Sequence, residues 1–498
     1  MSRVARRTLS MSNQLSTPLV DPLAGEDEET GKPGGLTGRV DTWGESMTSP
    51  VEGDTTESMF DRSQTQPMGA AFTGGKATMK ATIFNLINTV IGAGLLALPQ
   101  AIQQNGIILG VGMIILVSFM ADVTVNMLLF ATDHAKETNF GRISQVLAGN
   151  VAKFFVDLII FLLNFGLCAS YCIIIGDNLV FYAQSAGAAP GSPWQDIKVL
   201  LAGVFVLILY PLSTLKKMSA LRHVSLLCLI FITLFVVLIV VASTGVLGMP
   251  VAMNASSINW MDLEQVTPLG LLQNVPVIFF AFVCHMNVPL LYGELRRASK
   301  QERPSKWKQK KGKMMCAVHC AIGYCAFLYI AVSVSGYILF GDALSLPENA
   351  GNILNAIHTS HLSIAPYVKL VYAILLALSF PCMSYSGRAA LHRLMSTCCA
   401  CVDTMGDKIR FLEAFIIVGS TTGLAMTGLS VAVAFGLTGS ITCTAIMYIF
   451  PGSFHLIASK KQKRGCAPNV LSWGAIILGF AVMGASTAAI LISAGTSN

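Results

Sequence analysis

The fold is decided by the stretch Asn88-Thr-Val-Ile-Gly-Ala-Gly-Leu-Leu-Ala-Leu-Pro99, which is apolar enough to enter a membrane but unsuited to an unbroken helix. A second such stretch, Pro276-Val-Ile-Phe-Phe-Ala-Phe-Val-Cys-His-Met-Asn-Val-Pro289, follows roughly 190 residues later. Glycines loosen the first stretch, and prolines remove backbone donors from both. At membrane depth, irregular backbone is tolerated only inside protein or along a cavity. Two breaks in corresponding positions of two halves therefore predict a midplane binding site of a secondary transporter.

The composition is that of an integral membrane protein. The chain has 498 residues, of which 53% are hydrophobic and only 12% charged, whereas soluble domains carry about 25% charged residues. The net charge of +7 is divided among particular loops, so it does not indicate a nucleic-acid surface. We expect an all-α polytopic protein with the lipid bilayer as its main partner.

A membrane-spanning helix needs about 20 apolar residues, and this window predicts eleven spans. They lie near residues 79–103, 107–132, 152–185, 197–214, 221–247, 268–291, 314–340, 363–386, 411–435, 438–457 and 470–493. The breaks fall in spans 1 and 6. An odd count with these breaks predicts a five-plus-five inverted repeat with one extra helix. Repeat one would cover about 79–247, repeat two about 268–457, and the eleventh helix about 470–493.

The distribution of Lys and Arg predicts the orientation. Five loops and their flanks hold 22 of the 33 Lys and Arg residues. These loops are 133–151, 215–220, 292–313, 387–410 and 458–469. The opposite loops hold none, and they are 104–106, 186–196, 248–267, 341–362 and 436–437. The asymmetry predicts a cytosolic N-terminus and an outer C-terminus.

The ends of the chain and one sequon agree with this orientation. Residues 1–76 are polar and include an acidic stretch, which predicts a disordered cytosolic tail open to cytosolic partners. Residues 494–498 would form a short outer tail. Asn254 opens the one Asn-X-Ser/Thr sequon of the chain and falls in a predicted outer loop, where it is a candidate for glycosylation.

Several motifs together resemble the amino acid/auxin permease family over roughly residues 77–493. The first stretch quoted above resembles the first helix of that family. Phe282-Val-Cys-His285 with Val288-Pro-Leu-Leu-Tyr-Gly-Glu-Leu295 resembles the sixth helix of its sodium-coupled neutral amino acid transporter branch and of plant and algal vacuolar-type members. Tyr210-Pro-Leu-Ser-Thr-Leu-Lys-Lys217 resembles the fourth helix. Gly439-Ser440 with Ile449-Phe-Pro-Gly452 resembles the tenth.

The resemblance implies the fold of the bacterial leucine transporter with an eleventh helix. It also implies movement of amino acids, most often neutral ones, driven by sodium or protons and without another cofactor. The membrane would be the plasma membrane or a vacuolar or other internal membrane.

The two breaks suit the two ends of an amino acid. Backbone N–H groups at a half-helix N-terminus attract a carboxylate, and carbonyls freed at the second break accept from an ammonium. The predicted substrate-binding residues are Thr89, Gly92, Ala93, Gly94, Leu95, Ala281, Phe282, Val283 and Cys284. The alternative is that the small residues only permit close packing of helices.

Ion coupling has two sets of candidates. Asn88 matches an asparagine tied to sodium in the animal branch, and Ser379 falls where that branch has a hydroxyl ligand, with serine in place of threonine. Oxygen ligands of this kind suit sodium, a hard cation, although Ser379 could instead bond back to its own helix. Related plant-type members imply protons, for which Asp122 and His285 are candidates because ionisable groups in a membrane are costly and often functional. Both could instead be structural hydrogen-bonding residues.

Other classes of function receive less support. The chain has no His-Glu-X-X-His metal motif, no P-loop and no plausible Ser/His/Asp set, so we expect no enzyme. A channel would favour continuous polar faces over two breaks. The alternative to a symporter is an amino acid sensor that keeps the binding site with little flux.

Overall fold

The computed structural model describes residues 77–215, 222–246, 251–253, 258–261, 266–295, 306–346, 349, 351–357, 365–399, 402, 405, 407–461 and 467–496. The predicted tail 1–76 and the sequon residue Asn254 lie outside these residues.

The described residues of the first half form seven helices. They are α1 (Met79–Val90), α2 (Leu98–Asn105), α3 (Ile107–Ala135), α4 (Phe140–Ala148), α5 (Asn150–Ser185), α6 (Ile197–Ser213) and α7 (Arg222–Ser243). A 3₁₀ turn at Ala93–Ala97 lies between α1 and α2, so the first predicted span is a broken helix. Pro99 stands in the first turn of α2, where its missing N–H costs nothing.

The described residues of the second half form eight helices. They are α8 (Pro268–Phe282), α9 (Val288–Glu294), α10 (Lys306–Phe340), α11 (Ile353–Ala356), α12 (Ala365–Cys398), α13 (Asp407–Ala425), α14 (Val431–Lys461) and α15 (Ala467–Thr496). The gap between α8 and α9 breaks the sixth predicted span. Pro289 is the second residue of α9 as Pro99 is of α2, so both second half-helices have a proline in their first turn.

The secondary structure of the described residues is helical, apart from one bridge between Ala77 and Leu295. Seven helices are long and apolar enough to cross a membrane, and the bent α1–α2 pair makes an eighth. Two shorter apolar helices, Ile197–Ser213 and Pro268–Phe282, coincide with predicted spans 4 and 6. The chain is therefore a polytopic helical membrane protein, and the count of eleven spans stays a prediction.

One predicted loop is wrong. The outer loop at 436–437 lies inside the continuous helix α14, and the chain turns instead between α13 and α14 at residues 426–430. Gly428 takes the left-handed conformation there, with φ of 81°, which glycine adopts without strain. The Ser430 hydroxyl then accepts a hydrogen bond from the N–H of Val433 and caps α14. Glycine occurs at both positions, as Gly428 and Gly436. The turn forms at Gly428, where the Ser430 cap begins the next helix.

Side-chain bonds tie the predicted cytosolic end of α12 to three neighbouring helices. Arg393 Nε lies 2.8 Å from Asp157 Oδ1 of α5. His392 Nδ1 lies 2.7 Å from Glu413 Oε1 of α13. Arg388 Nη1 donates to the carbonyl of Ser213 at the end of α6 over 2.7 Å. Because α5 and α12 also pack along each other, these four helices form one braced unit.

We expect the Asp157–Arg393 pair to be required for stability. The Asp157 side chain is only 3% exposed and that of Arg393 16%, so Asp157→Ala leaves a cation with little solvent, at a cost of about 3 kcal/mol. The matched control is Asp407→Ala, because Asp407 pairs with Arg410 but is 61% exposed and should cost less than about 1 kcal/mol. Thermal unfolding in detergent measures both variants. Equal shifts of the midpoint would contradict a structural role for the buried pair.

Candidate functional site

The first break begins where α1 ends. Ile91 is the last residue whose N–H reaches back into the helix, bonding the carbonyl of Ile87 over 2.8 Å. Its ψ of 108° then turns the chain into extended backbone, which continues through Gly92. The axes on the two sides of the break differ by 50°. The carbonyls of the last turn of α1 are thereby freed from helical bonding.

The second break repeats this geometry. Val283 follows α8 with φ of −71° and ψ of 108°, and Ile91 follows α1 with φ of −73° and ψ of 108°. The chain then makes a turn in which the N–H of Asn287 donates to the carbonyl of Cys284 over 3.0 Å. The residue that follows the first half-helix therefore has the same extended conformation at both breaks.

The two breaks are in direct contact. A Cβ placed on Gly94 would lie 2.9 Å from Cα of Ala281 and 3.2 Å from its Cβ. Asn287 also donates through Nδ2 to the hydroxyl of Thr89 over 3.5 Å, a hydroxyl that itself donates to the carbonyl of Asn85. The absence of a side chain at Gly94 therefore allows the two breaks to pack closely, which is the alternative considered for these glycines.

Tyr329 of α10 joins the two breaks. Its hydroxyl lies 2.8 Å from the carbonyl oxygen of Val90 and 2.9 Å from that of Ala281. Tyr329 is fully buried, and its ring meets the ring of Phe282 edge to face, with centroids 5.1 Å apart. A hydroxyl has one proton, so it donates to one carbonyl at a time and holds both carbonyls near a single point. Reasoning from the sequence missed Tyr329 because its role depends on the packing of a different helix.

Gly92 differs from Gly94 because it faces space. The nearest atom that a Cβ on Gly92 would meet is the hydroxyl oxygen of Tyr171 on α5, at 4.0 Å. Tyr171 is buried, so its hydroxyl is presented to the first break from the protein interior. Gly92 and Tyr171 thus mark the part of the candidate site where a small polar group would fit.

The other predicted substrate residues lie at the breaks as the sequence indicated. Leu95, Ala281, Phe282 and Cys284 are buried. Val283 is partly buried, and Ala93 opens the 3₁₀ turn. Their contacts place them around the break backbone, and their roles in binding remain predictions.

The helix α14 supports the second break from behind. A side chain on Gly439, within a π turn at Thr438–Cys443, would collide with the carbonyl oxygen of Pro276. The ring of Phe279 lies 4.7 Å from that of Tyr448, and the ring of Phe280 lies 4.7 Å from that of Phe435. π turns inside helices are frequent at functional sites.

No hydrogen bond connects the two sodium candidates in the part of the chain that the structure describes. The Ser379 hydroxyl lies 3.0 Å from Sγ of Cys228 on α7. Asn88 is partly buried near the end of α1. Their assignment to sodium therefore stays a prediction.

Both proton candidates have side-chain partners. Asp122 Oδ1 lies 2.6 Å from Nδ1 of His319 on α10. His285 is fully buried, and its Nε2 lies 2.9 Å from the hydroxyl of Thr124 on α3. His319 was not among the residues predicted from the sequence, although a histidine within an apolar span is as conspicuous a signal as Asp122.

On the predicted cytosolic side, the residues before α1 meet the end of α9 mainly through backbone. The N–H of Ala77 donates to the carbonyl of Glu294 over 3.0 Å, and Ala77 and Leu295 form a parallel bridge. Lys310 caps the end of α9 by donating through Nζ to the carbonyl of Gly293 over 3.1 Å. We call the contact between Ala77 and residues 294–295 the inner latch.

On the predicted outer side, polar contacts involve the connection between α10 and α12. The side chain of Gln100 on α2 accepts from the N–H of Gly351 over 2.7 Å. Lys369 of α12 is buried; its Nζ donates to Oδ1 of Asn355 over 3.1 Å and lies 4.0 Å from the ring centroid of Phe181. We call these contacts the outer closure.

These features define a class, a polytopic helical transporter with two broken helices in contact. The chain belongs to the transmembrane amino acid transporter protein family, whose model matches residues 75–492. The family confirms the resemblance seen in the motifs. It is a family of transporters and not of enzymes, as the sequence predicted.

Individual relatives are similar over most of their length. The amino acid transporter AVT6B of Arabidopsis thaliana is 28% identical over 79% of this chain and 86% of the relative. The putative sodium-coupled neutral amino acid transporter 11 of Danio rerio is 24% identical over 82% and 85%. The vacuolar amino acid transporter 5 of Schizosaccharomyces pombe is 27% identical over 78% and 86%.

The two glycines of the first break should respond differently to a methyl group. Gly94→Ala places its Cβ against the backbone of Ala281, which cannot rotate away, so we expect a loss of about 1–3 kcal/mol from overpacking. Gly92→Ala meets nothing closer than 4.0 Å and should keep the wild-type unfolding midpoint. The midpoints of both variants in detergent test this. A destabilised Gly92→Ala with an unaffected Gly94→Ala would show that Gly94 is not the glycine required for close packing of the two breaks.

The Tyr329 hydroxyl should matter more than that of a comparable buried tyrosine. Tyr329→Phe leaves the carbonyls of Val90 and Ala281 without their donor, which costs about 1–3 kcal/mol. Tyr448→Phe is the matched control, because Tyr448 is equally buried and its hydroxyl has no hydrogen-bond partner within the described residues. We expect a lower unfolding midpoint for the first variant only. Indistinguishable variants would mean that the two carbonyls find other donors.

Proposed function

We propose that this protein is a secondary active transporter that moves neutral amino acids across a membrane by ion-coupled symport. The observation that carries the proposal is the contact between two helix breaks of the same backbone geometry. The family and the relatives support amino acids as the substrate class. Substrate would be bound where the breaks meet and released by alternating access around spans 1 and 6.

The carboxylate of the substrate would be bound at the first break. The space beside Gly92 lies at the start of the 3₁₀ turn and α2, where N–H groups have no intrahelical partner and the helix dipole favours an anion. The Tyr171 hydroxyl, 4.0 Å from the Cβ position of Gly92, could donate to the same carboxylate. This arrangement needs no cationic side chain, which agrees with the apolar composition of the first break.

The ammonium of the substrate would be bound by carbonyls freed at the breaks. Each break ends a helix, so the last carbonyls of α1 and α8 lack their usual N–H donors. Val90 and Ala281 share the one hydroxyl proton of Tyr329, which leaves acceptor capacity on both oxygens. An ammonium has three donors and no acceptor, so it matches a group of carbonyls.

Alternating access would open the inner latch and the outer closure in turn. The inner latch joins the start of α1 to the end of α9. In the proposed topology these are the cytosolic ends of the two broken spans. We propose eleven spans with a cytosolic N-terminus and a five-plus-five inverted repeat. In that topology α3 and α10 are equivalent helices, and each makes a hydrogen bond to the break of the other half, through Thr124 and Tyr329.

The coupling ion and the membrane are part of the proposal. Asn88 and Ser379 would contribute to a sodium site, and Asp122 or His285 to a proton site. The relatives include proteins named as sodium-coupled and as vacuolar, so the plasma membrane and the vacuolar membrane are both candidates. In a vacuolar membrane the outer face would be the lumen, and symport would export amino acids to the cytosol. The sensor alternative receives no support from the relatives, whose names describe transporters.

Uptake into proteoliposomes tests the proposal. Radiolabelled glutamine, alanine and leucine are supplied while sodium and proton gradients are imposed separately. We expect at least one amino acid to accumulate with one of the gradients. Binding without flux under either gradient would contradict a transporter and favour a sensor. Sodium-driven uptake that is reduced in Ser379→Ala would support that residue as a ligand.

Tyr171→Phe tests the carboxylate position in the same assay. We expect KM for the amino acid to rise about tenfold, because a hydrogen bond to a charged group is worth about 1.5–3 kcal/mol. Tyr448→Phe serves again as the control and should keep the wild-type KM. An unchanged KM in Tyr171→Phe would place the carboxylate elsewhere.

A further inference from the structure

An acid–imidazole pair joins α3 to α10 outside the substrate site. Oδ1 of Asp122 lies 2.6 Å from Nδ1 of His319. The His319 side chain is 58% exposed and that of Asp122 22%. The pair is therefore accessible from the surface of the helical bundle, unlike the buried groups at the breaks.

The surroundings of the pair are apolar. The large side chains exposed nearby on the two helices include Leu116, Phe119 and Phe327, as expected for a surface that faces lipid. Ionisable groups are costly in that environment and are often proton sites. Lys313 lies on α10 about two turns before His319, toward the predicted cytosolic side, and the His319 side chain is itself 58% exposed.

Few other groups interact electrostatically with Asp122. Within the described residues, the groups that interact electrostatically with Asp122 are His319 and the thiol of Cys284 at the second break. The remaining titratable side chains on helices packed against the pair include the thiols of α10, the imidazole at the second break and one imidazole of α14. These are Cys316, Cys320, Cys325, His285 and His455. His455 pairs with Ser472 over 2.7 Å, and His285 pairs with Thr124.

Both helices of the pair also hold the substrate breaks. On α3, Thr124 lies two residues after Asp122 and bonds His285 of the second break over 2.9 Å. On α10, Tyr329 lies ten residues after His319 and bonds carbonyls of both breaks. A change in the attraction between Asp122 and His319 therefore acts on the two helices that fix the geometry of the site.

We propose that the Asp122–His319 pair is the proton-binding site that couples amino acid movement to a pH gradient. The inference rests on the proposed function and names the ion and its site. Without the added proton the pair is a carboxylate beside a neutral imidazole, with a net charge of −1. Binding of one proton gives a carboxylate beside an imidazolium, with a net charge of zero, and strengthens the attraction between α3 and α10.

The neutral form of the pair suits movement through a lipid-facing region. A net charge disfavours any rearrangement that takes the pair further from water, because charged groups are costly in hydrocarbon. The protonated pair carries no net charge and could accompany the rearrangement of α3 and α10. Asp122 and His319 would thus act as the proton site, and Thr124 and Tyr329 would transmit its state to the breaks.

The experiment compares exchange with gradient-driven accumulation in proteoliposomes. The substrate is whichever of radiolabelled glutamine, alanine and leucine the wild-type protein exchanges. Exchange at equal pH and without ion gradients reports the substrate site. Accumulation driven by a pH gradient, and acidification of the lumen reported by a trapped pH-sensitive dye when substrate is added, report the proton site. The variants are Asp122→Asn, His319→Gln and Asp122→Glu, with His392→Gln as the matched control, because His392 forms a similar pair with Glu413 at 2.7 Å on a different helix.

We expect Asp122→Asn and His319→Gln to keep exchange within about twofold of the wild type while pH-driven accumulation falls at least about tenfold. Substrate-dependent acidification should disappear in both variants. Asp122→Glu should restore part of both signals, and His392→Gln should behave as the wild type. His319→Gln keeps the test valid if Asp122→Asn does not fold, because the exposed imidazole is the less buried partner.

Several results would overturn the inference. Full pH-driven accumulation in His319→Gln would exclude the pair as the proton site while leaving the transporter intact. The same conclusion follows from a wild-type protein that exchanges amino acids but accumulates them only with a sodium gradient. A wild-type protein that binds amino acids without exchange would instead refute the proposed function, and the inference with it.

Discussion

Backbone carbonyls in an apolar interior need hydrogen-bond donors, and in this molecule one hydroxyl serves one carbonyl of each broken helix in turn. The oxygen of Tyr329 lies within 2.9 Å of carbonyls from α1 and α8. Without such a donor, two interrupted helices side by side would each leave acceptors unpaired, at a cost of about 1–3 kcal/mol for each group. The contact of Gly94 with Ala281 brings those carbonyls close enough for a single side chain to serve both. The geometry of the candidate site follows from this shared bond.

The rest of the structure divides into helices that form the breaks and helices that brace them. The helices α5, α6, α12 and α13 are joined at the predicted cytosolic end by the Asp157–Arg393 ion pair, the His392–Glu413 contact and an arginine that donates to a backbone carbonyl. The helices α3 and α10 belong to neither group. Each makes a hydrogen bond to a break, and the two helices are also joined to each other by the Asp122–His319 pair. A charge change at that pair is thus placed where it can alter the breaks without disturbing the braced unit.

The sequence predicted the features that depend on local chemistry. Glycine and proline within apolar stretches located both breaks, and the family resemblance was confirmed. Features that depend on packing were not accessible. Gly92 and Gly94 are indistinguishable in sequence, yet one faces the Tyr171 hydroxyl and the other a neighbouring backbone. The turn before α14 was misplaced because its position was fixed by the Ser430 cap and the conformation of Gly428, and glycine also occurs at position 436. Tyr329 and His319 acquire their roles only through contacts with other helices.

The inner latch is built from main-chain atoms, since the N–H of Ala77 bonds the carbonyl of Glu294. Every amino acid except proline carries that N–H, so natural drift at these positions can exchange side chains freely without loosening the closure. Resemblance between distant homologues at residues 77 and 294 therefore carries no information about whether the closure is kept. To keep the inner latch, a homologue would have to retain only the course of the chain and a residue other than proline at position 77.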